Sequence, residues 1–188
     1  MNSLLDTDER PEQWLADEVP PEIRLTPLAD EVAKKVVDLL KKEADRYWAI
    51  DPNISLKYAD RIVAIGQARN DKSQVALGLM ARGDALKFLG NLEEAWEMLE
   101  RAGLMYQTSG DDVGWARTRI GRLFLGPDLN KVAETLSDVE QAREIFIERG
   151  EQELLMRLEI NTAYIHTLLG NQHRALQLYQ VRYGYRQY

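Results

Sequence analysis

The sequence contains no cysteine and only two histidines among its 188 residues. Without cysteine, the chain has no disulfide framework, no thiolate zinc site and no cysteine nucleophile. His166 and His173 lie on either side of a predicted turn. No carboxylate stands at a spacing that would complete a zinc site or a catalytic triad with either. We therefore expect both histidines to be structural or exposed to solvent.

Motifs that carry chemistry are also missing. The sequence has no glycine-rich dinucleotide or phosphate loop and no nucleophile elbow. The acidic pairs Glu93-Glu94 and Asp111-Asp112 fall where helices should begin, and negative charge there stabilises the amino-terminal end of a helix. We expect no enzymatic activity, no cofactor and no metal.

Long apolar runs are absent, and the opening residues lack the basic and apolar regions of a signal peptide. These features predict a cytoplasmic protein without a membrane partner. The net charge is −7, and residues 1–27 hold seven acidic residues against two arginines. An acidic leader, followed by repeats without a dense basic stripe, disfavours binding to nucleic acid.

The same leader holds four of the six prolines and shows no helical periodicity. Such a composition predicts an extended or disordered segment over residues 1–27. Two interpretations remain open for its tryptophan, Trp14. It belongs to a solvated tail, or it anchors the leader on the rest of the chain or on a partner.

What the sequence does contain is a repeat, seen most clearly at residues 74–110. Apolar and small residues recur there at spacings of three and four on both sides of Leu89-Gly90-Asn91. Glycine tolerates the left-handed conformation that ends a helix. The pattern predicts two helices joined by a short turn, each with an apolar face that one hairpin cannot bury alone.

The pattern returns every 40 residues. Asn70, Gly110 and Gly150 are placed where one hairpin should give way to the next. Sliding the chain by this period aligns similar residues, namely Leu89, Leu129 and Leu169; Gly90, Asn130 and Gly170; Ala95, Thr135 and Ala175; Leu99, Val139 and Tyr179; and Met80, Ile120 and Ile160. Matching small and apolar residues at fixed offsets are typical of a solenoid, in which each repeat contacts its neighbours.

These residues carry a family resemblance. The positions involved are Gly83, Leu86, Leu89, Gly90, Ala95, Leu99 and Ala102, and later Ala163, Gly170, Ala175 and Tyr179. On them, residues 28–183 resemble a tetratricopeptide repeat (TPR) array, although the period exceeds the roughly 34 residues of that family. Residues 82–95 and 114–123 also resemble the amino-terminal helical arrays of large bacterial proteins that end in a CHAT protease domain or an NTPase signalling module.

The resemblance implies an all-α fold, a right-handed TPR-like superhelix of about four antiparallel helix pairs. The expected domain covers residues 28–188, with units at about 28–70, 71–110, 111–150 and 151–188. In TPR arrays the first helix of each pair lines the concave groove. Carrying those positions over gives the candidate peptide-groove residues Leu77, Asp84, Phe88, Arg117, Phe124, Arg157 and Tyr164.

Arg117 and Arg157 are one period apart, as are Phe124 and Tyr164. Two guanidinium groups beside two aromatic rings would suit a peptide with a carboxylate and an apolar anchor. The alternative is that the arginines pair with acidic residues of the chain, such as Glu159, and that the aromatic rings pack between helices.

The function implied by the resemblance is that of a protein or peptide interaction scaffold, the regulatory or sensor portion of a larger bacterial protein. Ligand binding could then change the superhelical pitch and move an attached effector. A second possibility is an oligomerisation domain, because the last predicted helix has an apolar flank that no later polar helix covers. The residues of this flank are Leu176, Tyr179, Val181, Tyr183, Tyr185 and Tyr188. A homodimer through this helix, or a piece cut from a longer protein, would each explain the flank.

Overall fold

The computed structural model describes the backbone of residues 27–184 and the side chains of residues 31–180. Within that range the chain forms eight α-helices and no strand, which confirms the predicted all-α class. The predicted leader with Trp14 and the terminal Tyr185 and Tyr188 lie outside the described residues, as do the side chains of Val181 and Tyr183. The helices are α1 (Pro27–Tyr47), α2 (Pro52–Arg69), α3 (Lys72–Phe88), α4 (Leu92–Ser109), α5 (Asp112–Leu123), α6 (Val132–Arg149), α7 (Gln152–Leu168) and α8 (Gln172–Gly184).

Helices end at residues that adopt a left-handed backbone. Positive φ angles between 55° and 80° occur at Asn70, Gly90, Gly110, Asn130, Gly150 and Gly170, at intervals of 20 residues. Glycine and asparagine tolerate this conformation better than other residues, so a helix stops where they stand. The turns predicted at these positions are confirmed.

Aspartates begin three of the helices within one or two residues of the preceding turn. The side chain of Asp71 accepts a hydrogen bond from the backbone N–H of Gln74 at 3.0 Å, and Asp111 accepts one from Gly114 at 2.7 Å. Asp51 caps α2 in the same way. Each cap stabilises its helix by about 1 kcal/mol. A left-handed stop followed at once by a capped start makes the chain double back as a helical hairpin.

The chain divides into two compact units between Ser109 and Gly110. In the first unit, α1 to α4 each contact the next helix, and α1 also contacts α3. Its core is aliphatic, with Leu40 and Ile62 completely buried. At Gly78 a Cβ atom would stand only 2.7 Å from the backbone nitrogen of Val63, so the missing side chain lets α2 and α3 approach closely.

The second unit repeats this packing order. Helices α5 to α8 each contact the next, and α5 also contacts α7. Phe146, Leu158 and Ile165 are buried in its core. Helix α5 is the shortest of the eight described helices because it ends at Leu123, before the predicted connection at Gly126-Pro127. Proline lacks the N–H that a continuing helix would need.

Candidate functional site

The predicted groove residues of the first unit lie along α3. Leu77 is half-buried and packs against the aliphatic core, so it contributes to stability as well as to the surface. Asp84 is half-buried one turn before the helix ends. Phe88, the last residue of α3, is 46% exposed. Of the three, Phe88 offers the largest apolar surface to a partner.

Phe88 contacts an aromatic residue that the sequence analysis did not select. The ring of Trp48, directly after α1, lies 5.3 Å from that of Phe88 with the planes at 62°, an edge-to-face arrangement. The ammonium group of Lys87 stands 5.0 Å from the Trp48 ring centre and 4.9 Å from that of Phe88. Trp48 precedes Phe88 by one 40-residue period, and this spacing was the signal that could have found it.

The ammonium group of Lys87 sits in an unusual environment for a lysine. Burial lowers its pKa from the ordinary value, and the nearby carboxylate of Asp84 opposes this by raising it. The two aromatic faces attract the cation and offset part of the lost hydration. The first unit therefore carries an aromatic surface with one embedded cation, which we call the Trp48–Phe88 cluster.

The predicted residues of the second unit come together as expected in one respect. The rings of Phe124, directly after α5, and Tyr164, on α7, lie 6.1 Å apart with an angle of 43° between their planes. Their predicted proximity is confirmed. Tyr164 is 46% exposed, whereas Phe124 is half-buried. This Phe124–Tyr164 pair thus presents the face of one ring to solvent while the other supports it.

The two arginines of the same surface differ in their partners. Arg157 forms an exposed ion pair with Glu153, one turn earlier on α7, at 2.6 Å. Arg117 is half-buried and forms no ion pair with a described residue. Glu159, suggested as a partner for the candidate arginines, pairs instead with Arg143 of α6, which also contacts Glu140.

A second charged cluster lies inside the second unit, and the sequence analysis missed it. Arg119 and Arg122 of α5 are almost completely buried, and one oxygen of Asp138 on α6 lies 3.3 Å from Arg119 and 3.0 Å from Arg122. Arg119 also stands over the ring of Trp115 at 4.8 Å. Arg122 further pairs with Glu134. Because its charges are paired inside the fold, this cluster holds α5 on α6 and offers no open cation to a ligand.

Metal and membrane chemistry find little support among residues 27–184. No group of three or more histidine, aspartate and glutamate side chains is placed to hold a metal ion there. None of the helices described is long and apolar enough to cross a membrane. Burial lowers the pKa of His166, and the positive charges of Arg174 and Arg143 lower it further. This histidine stands among cations and is poorly placed to act as a base beside a carboxylate.

Comparison of the chain with models of protein families, with curated proteins and with solved structures found no match.

Proposed function

We propose that the chain is a TPR-like helical repeat with a 40-residue period that binds protein or peptide segments through its odd-numbered helices. Equivalent side chains in successive repeats support the period. The aromatic contacts Trp48–Phe88 and Phe124–Tyr164 each join residues 40 positions apart. The ion pairs Arg82–Glu94 and Arg122–Glu134 also repeat at this distance, one in each unit.

The order of helix contacts supports the same proposal. In both units each helix packs on the next, and the two odd-numbered helices touch each other, α1 with α3 and α5 with α7. This is the arrangement that stacked helical hairpins need, because one face of every hairpin must be buried by its neighbour. The odd-numbered helices then form a continuous surface within each unit.

The observation that carries the binding function is the exposure of aromatic rings on these odd-numbered helices. Phe88 and Tyr164 are each almost half exposed although each rests against a second aromatic ring. A supported ring keeps one geometry, so a partner loses little additional entropy when it binds there. Aromatic anchors of this kind supply much of the binding energy at protein interfaces.

The test is selection of ligands from a displayed peptide library on the full chain, followed by titration calorimetry of synthetic versions. Phe88→Ser or Tyr164→Ser should weaken binding of the selected peptides by roughly thirtyfold, the loss expected for an interface hot spot. Circular dichroism should show unchanged helix content because both side chains lie at the surface.

Matched controls come from the even-numbered helices. Leu104 of α4 and Ile147 of α6 are 51% and 60% exposed, so serine at these positions removes a similar apolar surface elsewhere. Binding should be unaffected by Leu104→Ser and Ile147→Ser. Failure to select any peptide, or equal sensitivity to the control variants, would reject a binding surface on the odd-numbered helices.

Oligomerisation is the second candidate, and one observation favours it. Leu176 of α8 is exposed, and Tyr179 on the same helix is only half-buried. A dimer built on this face should be seen as a doubled molar mass by light scattering and should dissociate on Tyr179→Asp. A monomer at all concentrations would leave the odd-numbered helices as the proposed working surface.

A further inference from the structure

The face of the second unit formed by α5 and α7 carries an ordered series of side chains. Arg117, Ile120 and Phe124 follow one another at spacings of three and four along α5. The period-related residues of α7 are Arg157, Ile160 and Tyr164. Residues seven positions apart lie on one side of a helix, two turns or about 10 Å from each other. The aromatic contact between Phe124 and Tyr164 brings the two series side by side.

The arginine end of this face is available to an external anion. Arg117 forms no ion pair with a described residue, and the pair between Arg157 and Glu153 is fully on the surface. Exposed pairs within one helix contribute only about 0.3–0.5 kcal/mol, so a ligand carboxylate can compete for the Arg157 guanidinium. Guanidinium groups bind carboxylates through two parallel hydrogen bonds, which favours this anion over a weakly directional one.

The spacing selects the backbone form of the ligand. A polyproline II segment has three residues per turn and rises 3.1 Å per residue, so side chains at positions i and i+3 share one face about 9 Å apart. This nearly matches the distance between the arginine and aromatic ends of the face. A β-strand would place the same two side chains on opposite faces.

Resting on the proposed binding function, we propose that the α5–α7 face binds an extended peptide with a carboxylate three positions from a large apolar side chain. The carboxylate contacts Arg117 and Arg157, and the apolar side chain lies on the Phe124–Tyr164 pair. The half-buried Ile120 and Ile160 border the two intervening ligand residues. The chemistry of the partner is therefore an acidic, proline-compatible segment.

The probes are fluorescently labelled peptides containing Glu-Pro-Pro-Leu or the reverse order Leu-Pro-Pro-Glu, titrated with the full chain by fluorescence anisotropy. At least one order should bind, and replacing its glutamate by glutamine should weaken binding by about tenfold or more. Shortening the separation to one proline should weaken binding as well, because the two side chains then leave the common face.

Variants of the protein identify the recognising group. Arg117→Gln should reproduce the loss seen with the glutamine peptide and cause no further loss when the two changes are combined. Arg117→Lys should recover part of the affinity, since it keeps the charge but not the paired hydrogen bonds. Arg149→Gln is the matched control, because Arg149 is an exposed arginine of the same unit that pairs with Asp112. It should leave binding unchanged.

Different failures point to different errors. If Tyr164→Ser abolishes binding but Arg117→Gln and the glutamine peptide do not weaken it, the carboxylate proposal is wrong and the aromatic surface stands. Equal losses from Arg117→Gln and Arg149→Gln would indicate general charge attraction and would also overturn it. If neither peptide order binds while library-selected peptides do so through Tyr164, the spacing is wrong. If binding is insensitive to Tyr164→Ser as well, the proposed function itself fails at this unit.

Discussion

Replacing Asp138 by asparagine tests the buried charge cluster of the second unit. The carboxylate of Asp138 lies within 3.3 Å of Arg119 and 3.0 Å of Arg122, whose side chains are each only 3% exposed. Asparagine has nearly the same shape, so the change removes the negative charge with little loss of volume. The two buried guanidinium groups then lack the anion that they share.

The expected cost follows from the price of burying charge. Removing one partner of a buried ion pair destabilises a protein by about 3–5 kcal/mol, because the remaining charge stays desolvated. Small domains are stable by only about 5–15 kcal/mol, so this loss is a large fraction of the total. With a urea dependence of about 1–3 kcal/mol per molar, the unfolding midpoint should fall by roughly 2 M.

The assay is urea unfolding followed by circular dichroism, with Asp60→Asn as the control. Asp60 pairs with Arg82 at 3.0 Å in the first unit, but both groups are substantially exposed, and such pairs contribute about 0–1 kcal/mol. Asp138→Asn should therefore lower the midpoint far more than Asp60→Asn. Equal and small effects of the two substitutions would refute the claim that buried charge pairing holds α5 on α6.

Three further predictions concern packing and titration. Gly78→Ala should destabilise the protein by about 1–3 kcal/mol in the same assay, since the new Cβ would meet the backbone of Val63; an unchanged midpoint would contradict the close approach of α2 and α3. Phe146→Ala should cost about 3–5 kcal/mol because this ring is completely buried, and a cost below 1 kcal/mol would place it nearer the surface. Asp84→Asn should lower the pKa of Lys87 further, because it removes the negative charge that raises it; a titration of the Lys87 side chain by NMR would show no change if Asp84 were too distant to act.

Part of the candidate site could be predicted from the sequence because the repeat carries positional information. The contact between Phe124 and Tyr164 follows from their separation by one period, once the helices are assumed to stack. Trp48 obeys the same rule toward Phe88 but escaped attention because it follows α1 in a divergent first repeat. Aromatic residues outside a helix carry no periodic signal of their own.

Partners of long charged side chains could not be predicted. Glu159 is within reach of arginines on two helices, and the structure pairs it with Arg143 of α6 and leaves Arg157 to Glu153. An arginine side chain spans several ångströms and has many rotamers, so sequence spacing leaves several acceptors possible. The choice depends on how neighbouring helices are rotated.

The sequence alone determined where the helices of this protein begin and end. Glycine or asparagine at every twentieth position from 70 to 170 stops a helix through a backbone preference that needs no tertiary contact. Only the tertiary structure decided that Arg119 and Arg122 are buried, since a charged residue within a helix is ordinarily found at the surface. Their burial is possible because α6 brings the carboxylate of Asp138 to both guanidinium groups, and that meeting of two helices is not written in the local sequence of either.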